Sequence, residues 1–65
     1  MKKFIGERIR KSRKARGLTQ KQMAERIGVT RRTYISIEQG ESDPRATVIA
    51  QIAHITHQPI AWYFP

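Results

Sequence analysis

The most restrictive feature of the chain is the stretch from residue 19 to residue 40, which contains two short helical patterns separated by a glycine. Each pattern opens on a threonine, Thr19 or Thr30, and threonine is a residue type that caps helix N-termini. Gly28 lies between the two patterns and Gly40 follows the second, where glycine commonly ends a helix. The stretch therefore predicts two helices of about eight residues joined by a tight turn.

The rest of the sequence repeats the spacing of amphipathic helices. Ile5 and Ile9 give the first segment a helical period, and Ile49 and Ile52 do the same for a later one. Pro59 suits the first position of one more short helix, and no strand pattern appears. We therefore predict an all-α, compact five-helix domain covering residues 1–65, with helices at about 4–16, 20–27, 31–39, 46–56 and 60–63.

Net charge is the compositional property that most restricts the kinds of molecule this chain is expected to bind. Thirteen Lys and Arg residues face five acids, for a net charge of +8, and eight of the thirteen lie in residues 2–16. Such a balance favours a polyanionic partner, chiefly nucleic acid. Without cysteine there is neither a disulfide nor a thiolate metal site, and no apolar run reaches the ~20 residues of a membrane span. We expect a cytoplasmic, nucleoid-associated protein.

Two helices joined by a glycine turn form a helix-turn-helix, whose second helix can enter the major groove of DNA. The chain resembles the phage Cro and repressor helix-turn-helix family, the XRE-like transcriptional regulators. This resemblance implies a lambda-repressor-like domain that binds operator DNA, usually as a dimer. The residues that carry it are Gly17-Leu18-Thr19-Gln20, Met23-Ala24, Ile27-Gly28-Val29-Thr30, the run from Tyr34 to Gly40, and Pro44.

The resemblance also assigns roles by position. It implies base contacts from the exposed side of the second helix of the motif, phosphate contacts at the two ends of that helix and at the start of the helix before it, and an ion pair between the first and third helices. The predicted base contacts are Arg31, Arg32 and Ser36; the predicted phosphate contacts are Gln20, Thr30 and Gln39; the predicted ion pair is Arg13 with Glu38.

The chemistry of these side chains agrees with the assigned roles. Arg31 and Arg32 can each bond guanine O6 and N7 together, although contact with phosphate alone is the alternative. For Gln20 and Thr30 the alternative is helix capping. Arg45, which follows Pro44, is a further predicted phosphate contact, with a solvated side chain as the alternative.

Aromatic residues near the C-terminus predict a dimer interface. Trp62 stands where such domains commonly have a polar residue, and aromatic side chains concentrate at interface centres. We predict that Trp62 and Tyr63 contact a second copy, while Ile60 and Phe64 point inward; the alternative is that all four close the core. Tyr34 replaces a residue that is usually aliphatic, so its hydroxyl needs a partner.

Other functional classes have weaker support. His54 and His57 have a spacing that can bind a metal, but a third ligand is missing. No nucleophile–base pair or phosphate-binding glycine loop is present, so we expect no catalysis, no cofactor, no metal and no small-molecule substrate. Glycines and Pro44 divide the chain into units of about ten residues, which disfavours a membrane-binding amphipathic helix.

The sequence therefore predicts a Cro-like repressor that binds a pseudo-palindromic double-stranded operator. We expect a homodimer, formed either in solution or only on DNA, with the helix at 31–39 in the major groove. Three alternatives stay open at this stage: an antitoxin-type regulator, a restriction–modification controller of the same fold, and a nonspecific nucleic-acid binder.

Overall fold

The computed structural model describes all residues from Met1 to Pro65 and is entirely helical. The five-helix prediction requires a correction, because the last segment is a single turn of 3-10 helix rather than an α-helix. None of the helices combines the length and the apolar character that spanning a membrane requires. The α-helices are α1 (Lys2–Ala15), α2 (Gln20–Ile27), α3 (Arg31–Glu38) and α4 (Ala46–Thr56), and the C-terminal 3-10 turn is Ile60–Tyr63.

Local hydrogen bonds fix the ends of the two central helices. Thr19 and Gln22 form a reciprocal capping box, in which each side chain accepts a bond from the other's backbone N–H, at 3.0 and 2.9 Å. The Thr30 hydroxyl oxygen accepts a bond from the Thr33 N–H at the start of α3. Gly28 ends α2 at φ 74°, ψ 31°, a left-handed conformation that glycine adopts without steric cost. The turn between the helices therefore follows from local sequence.

The core lies between the four α-helices and the 3-10 turn. Eleven apolar side chains are buried in it, and the largest fully buried ones include Tyr34 and Tyr63. Ile60 and Phe64, which the sequence predicts to point inward, are instead 46% and 39% exposed. The 3-10 turn is too short to bury several side chains, so a single residue of the turn reaches the core.

The Tyr63 side chain lies in the core, and its hydroxyl group has buried partners there. It donates to the Ser12 hydroxyl at 2.9 Å and contacts the Thr56 hydroxyl at 2.7 Å. Ser12 and Thr56 in turn donate to carbonyl oxygens of their own helices. We name these three residues the hydroxyl cluster. The prediction that Tyr63 contacts a second copy is therefore wrong, since its side chain has no exposed surface.

Helix α1 crosses the end of α3 at very short range. A Cβ atom on Gly6 would lie 2.5 Å from the Glu38 carbonyl oxygen and 2.7 Å from that of Ile37. Any side chain at position 6 would therefore force the two helix backbones apart. This crossing places α1 beside the C-terminal end of α3.

Candidate nucleic-acid interface

The outer face of α3 gathers the three residues predicted to contact bases. Arg31 and Arg32 are exposed on its first turn, whereas Ser36 is half-buried one turn later. All three line one shallow depression on the surface. The other residues lining it are Ile35, Gln39 and Glu41.

The opposite face of α3 is buried, which fixes how the exposed face is presented. Tyr34, Ile37 and Glu38 lie in the interior, each less than a tenth exposed. Because side chains three and four residues apart share one face of a helix, this anchoring orients the remaining residues outward. The two guanidinium groups are thereby available to an external acceptor.

Thr30 caps α3, and its hydroxyl group is already engaged. The oxygen accepts from the Thr33 N–H at 3.1 Å, and the hydroxyl donates to the Thr33 Oγ1 at 2.9 Å. The Thr30 side chain therefore caps the helix in this structure, which was the alternative to a phosphate contact. Its contact with phosphate stays a prediction, and the backbone N–H is the donor that remains for it.

Arg13 and Glu38 form a buried ion pair between α1 and α3. The Arg13 Nε donates to Glu38 Oε2 at 2.6 Å, and the two side chains are 9% and 3% exposed. A second guanidinium nitrogen of Arg13 donates to the Leu18 carbonyl at 2.7 Å. Removing one partner of a buried pair typically costs ~3–5 kcal/mol, because the other charge stays buried and unpaired. This pair therefore sets the position of α3.

Two further side chains, Tyr34 and Gln20, donate to the same carboxylate. We name these two residues, together with Arg13 and Glu38, the charged cluster. The Tyr34 hydroxyl donates to Glu38 Oε2, so the hydroxyl has the partner that its burial demands. The half-buried amide of Gln20 donates to Glu38 Oε1 at 3.2 Å. Gln20 is thus held against α3, with its amide oxygen and second N–H not used by this bond.

The charged cluster also changes how its members titrate. Burial raises the pKa of Tyr34 above its ordinary value, and the hydrogen bond to Glu38 and the negative charge of Glu38 add to the effect. For Arg13, burial acts to lower the pKa, but the hydrogen bond and charge of Glu38 outweigh it and raise the pKa. Both groups therefore keep their protons to higher pH than in an unfolded chain.

Arg45 lies apart from the other predicted contacts. It is exposed at the N-terminus of α4 and lines a separate depression between α3 and α4, which also includes Thr33 and Pro44. The structure therefore brings Arg31, Arg32, Ser36 and Gln39 together, but not Arg45.

Trp62 is half-buried rather than fully exposed. The Arg8 guanidinium lies 4.4 Å from the centroid of its ring and 4.9 Å from that of Phe4. The Tyr63 ring meets Trp62 edge-on, with centroids 5.2 Å apart. A cation over an aromatic face is attractive, so Arg8 and Trp62 stabilise each other within one chain. Sequence reasoning missed this role of Arg8.

The sequence analysis did not place Lys3 and Arg10 beside the predicted contacts. Both are exposed on α1, and they line a second depression together with Gln20 and Gln39. The signal was present in the sequence, because residues seven apart share one face of a helix. What the sequence did not show is that this face of α1 borders α3.

Comparisons with known proteins agree with this architecture. A family model described as helix-turn-helix matches residues 9–63. An uncharacterized HTH-type transcriptional regulator of Methanothermobacter thermautotrophicus is 49% identical over 45 residues, covering 69% of this chain and 65% of that protein. The SPbeta prophage-derived uncharacterized HTH-type transcriptional regulator YonR of Bacillus subtilis is 34% identical over 52 residues, covering 80% and 48%. The chain belongs to the XRE-like helix-turn-helix family of regulators.

A solved structure shares the same fold. The crystal structure of the clp gene regulator ClgR from Corynebacterium glutamicum superposes with a TM-score of 0.89 at 21% sequence identity. The match covers 95% of this chain and 66% of the ClgR chain. This chain spans 65% and 48% of the length of the two curated relatives described above.

Proposed function

We propose that this chain is a transcriptional regulator that binds duplex DNA by sequence, with α3 in the major groove. The observation that carries the proposal is the exposed pair Arg31 and Arg32 on the first turn of α3, beside Ser36 in one depression. The N-terminal residues of a recognition helix are those that reach base edges in this motif. A net charge of +8 supports the attraction to a polyanion.

Each of the predicted contact residues has a role in this proposal. Arg31 and Arg32 read guanine through paired hydrogen bonds, and Ser36 contacts a base or a bridging water. Backbone phosphates are contacted by side chains at the edges of the same surface and by the start of α4. These proposed phosphate contacts are Gln20, Thr30, Gln39 and Arg45.

The proposed assembly is a two-fold dimer on a pseudo-palindromic operator. Two-fold symmetry places the recognition helices ~34 Å apart, in successive major grooves. Trp62 contributes to the interface, together with the exposed apolar side chains Ile60 and Phe64. The regulator acts as a Cro-like repressor in the cytoplasm, at the nucleoid, by occupying DNA that polymerase requires.

The decisive test is selection of bound duplexes from a random pool, which measures specificity, symmetry and half-site spacing together. We expect an enriched pseudo-palindrome with half-sites about 10 base pairs apart. The contrary result is a pool that stays random while binding falls with salt, which indicates nonspecific attraction to nucleic acid.

Two substitutions separate base contacts from phosphate contacts. Arg32→Ala should relax the preference at one operator position, at a cost of ~1–3 kcal/mol on the preferred sequence. Gln20→Ala should weaken binding to all sequences to a similar degree. If Arg31→Ala and Arg32→Ala both leave the selected sequence unchanged, these residues do not read bases.

A third substitution tests the dimer. Ile60→Asp places a charge on an exposed apolar position and should weaken joint occupancy of two half-sites without changing the half-site sequence. The measurement compares affinity for one-site and two-site duplexes. Equal effects on both duplexes would assign the C-terminal surface no part in pairing.

A further inference from the structure

Helix α1 brings two of its cations to the edge of the proposed recognition surface. The close crossing at Gly6 holds α1 against the last residues of α3. At the next point of contact, a Cβ atom on Gly40 would lie 2.7 Å from the Lys3 Cγ and 2.8 Å from the Lys3 Cα. The aliphatic part of the Lys3 side chain therefore packs directly on Gly40, which lies two residues after the end of α3.

The crossing creates a depression bordered by three helices. Lys3, Glu7 and Arg10 line it from α1, Gln20 from the start of α2, and Glu38 and Gln39 from the end of α3. No apolar residue lines it. Gln39 also lines the depression that holds Arg31 and Arg32, so the two depressions share an edge.

The charges that remain free in this depression are predominantly positive. The Glu38 carboxylate is neutralised by Arg13 and accepts hydrogen bonds from Gln20 and Tyr34. Arg13 with Glu38 is the ion pair of the structure, whereas Lys3, Glu7 and Arg10 are exposed and lie in no such pair. Two cations, one acid and two amides thus surround the space, beside the positively polarised N-terminus of α2.

We propose that Lys3 and Arg10 form, with Gln20 and Gln39, a seat for one phosphate group of the DNA backbone next to the groove that α3 enters. This assignment rests on the proposed function and adds α1 to the DNA-binding surface. Arginine and lysine are the side chains that neutralise phosphate, and the amides add hydrogen bonds. Because the seat borders the recognition surface at Gln39, one duplex can occupy both.

The first experiment measures affinity for the selected duplex between about 50 and 200 mM salt. The variants are Arg10→Gln and Lys3→Gln, both at exposed positions, and Lys3→Gln keeps the stem that lies over Gly40. The control is Arg26→Gln, which removes an exposed cation on α2 that lines neither depression. Melting curves of all variants verify that they are folded.

Each seat variant should make the negative slope of log affinity against log salt shallower, by about 0.9 per contact or about 1.8 in a two-fold dimer. Across the stated salt range this makes the loss of affinity about tenfold smaller than in the unaltered chain. The preferred sequence should stay the same, and Arg26→Gln should keep the original slope. Seat variants that match Arg26→Gln in slope would overturn the proposal.

A neutral methylphosphonate in the duplex identifies the phosphate directly. Substituting each backbone position near the half-site in turn should reveal one linkage at which Arg10→Gln causes no further loss. If the effects of Arg10→Gln and of every methylphosphonate simply add, Arg10 contacts none of these phosphates and the seat is wrong.

Glu7 supplies a test of opposite sign. It is the only acid of the seat that lacks a cation partner, so Glu7→Gln should tighten binding to every duplex by about 2- to 5-fold. Unchanged or weaker binding would contradict the proposed electrostatics.

These outcomes are distinguishable from a failure of the proposed function. A chain that binds no duplex by sequence defeats the proposed function itself. A chain that selects an operator, but whose seat variants behave like Arg26→Gln, defeats only the role of α1.

Discussion

Two adjacent residues of α1 lead to two different kinds of polar centre. Arg13 reaches the charged cluster beneath α3, where it pairs with Glu38. Ser12, one residue earlier, reaches the hydroxyl cluster, where Tyr63 and Thr56 belong to the C-terminal part of the chain. A single helix thus anchors the proposed DNA-binding side through ions and the other side through neutral hydroxyls.

The difference shows what each region loses when a partner is removed. No buried side-chain nitrogen or oxygen lacks a hydrogen-bond partner in either cluster. In the charged cluster, deleting Arg13 or Glu38 leaves the other ion buried and unpaired, which costs several kcal/mol. In the hydroxyl cluster, Ser12 and Thr56 keep carbonyl acceptors of their own helices, so a deletion leaves no orphaned donor. The charged side should therefore be the more fragile one.

The largest expected effect is that of Glu38→Ala. This change removes the acceptor of Arg13 and Tyr34 and leaves the guanidinium buried, so we expect a loss of ~3–5 kcal/mol in the free energy of unfolding. Denaturant titration measures it, with Glu41→Ala at an exposed position as the control, expected within ~0.5 kcal/mol of the unaltered chain. A loss below ~1 kcal/mol for Glu38→Ala would mean that the pair behaves as a surface ion pair.

Gly6→Ala should have the next largest effect, because it introduces a steric clash where α1 crosses α3. The added methyl group meets two carbonyl oxygens of α3 that belong to the backbone, so we expect a loss of ~2–3 kcal/mol from overpacking. Gly28→Ala is the matched comparison, since its Cβ has open space and only the positive φ opposes it, at ~1–2 kcal/mol. Equal losses in the two variants would show that α1 can move away without cost.

The free energy of unfolding should depend on alkaline pH because of Tyr34 in the charged cluster. The folded pKa of Tyr34 is raised, so above about pH 10 the unfolded chain releases a proton that the folded chain retains. The stabilisation is complete below that pH and declines as pH rises, at up to ~1.4 kcal/mol per pH unit. Denaturant titration from about pH 9 to pH 11 should give a shallower decline for Tyr34→Phe. Parallel curves for the two proteins would contradict the raised pKa.

Tyr63→Phe should have the smallest effect, although Tyr63 is as deeply buried as Tyr34. The ring stays in place and the two other hydroxyls keep their carbonyl acceptors, so we expect a loss of ~1 kcal/mol. A loss that approaches the Glu38→Ala value would remove the contrast between the two clusters.

Local sequence was sufficient to predict most of the helical framework. The capping box at Thr19, the cap at Thr30 and the glycine turn at Gly28 each depend on residues within a few positions. The observed bounds of α2 and α4 accordingly equal the predicted ranges. The ion pair between Arg13 and Glu38, 25 residues apart, came from the family resemblance and not from any local pattern.

The features that the sequence did not predict depend on distant neighbours. One turn of 3-10 helix has no repeat that could indicate its buried face, and the residues that surround Tyr63, including Ser12 and Thr56, are distant in sequence. Gly6 carries no sign of its role, because the role comes from carbonyl groups of α3. The Tyr34 hydroxyl was expected to need a partner, and that partner is Glu38, four residues later on the same helix face.

The hydroxyl cluster also contains a mismatch between oxygens and hydrogens. Four close oxygen contacts join its members to each other and to the carbonyls of Ile9 and Ile52, but three hydroxyl groups supply only three hydrogens. One contact must therefore lack a hydrogen in every arrangement, and the vacancy can shift along the row when the hydroxyls rotate together. The seam between α1 and the C-terminal residues can therefore exchange one proton arrangement for another by hydroxyl rotation alone, without any displacement of the backbone.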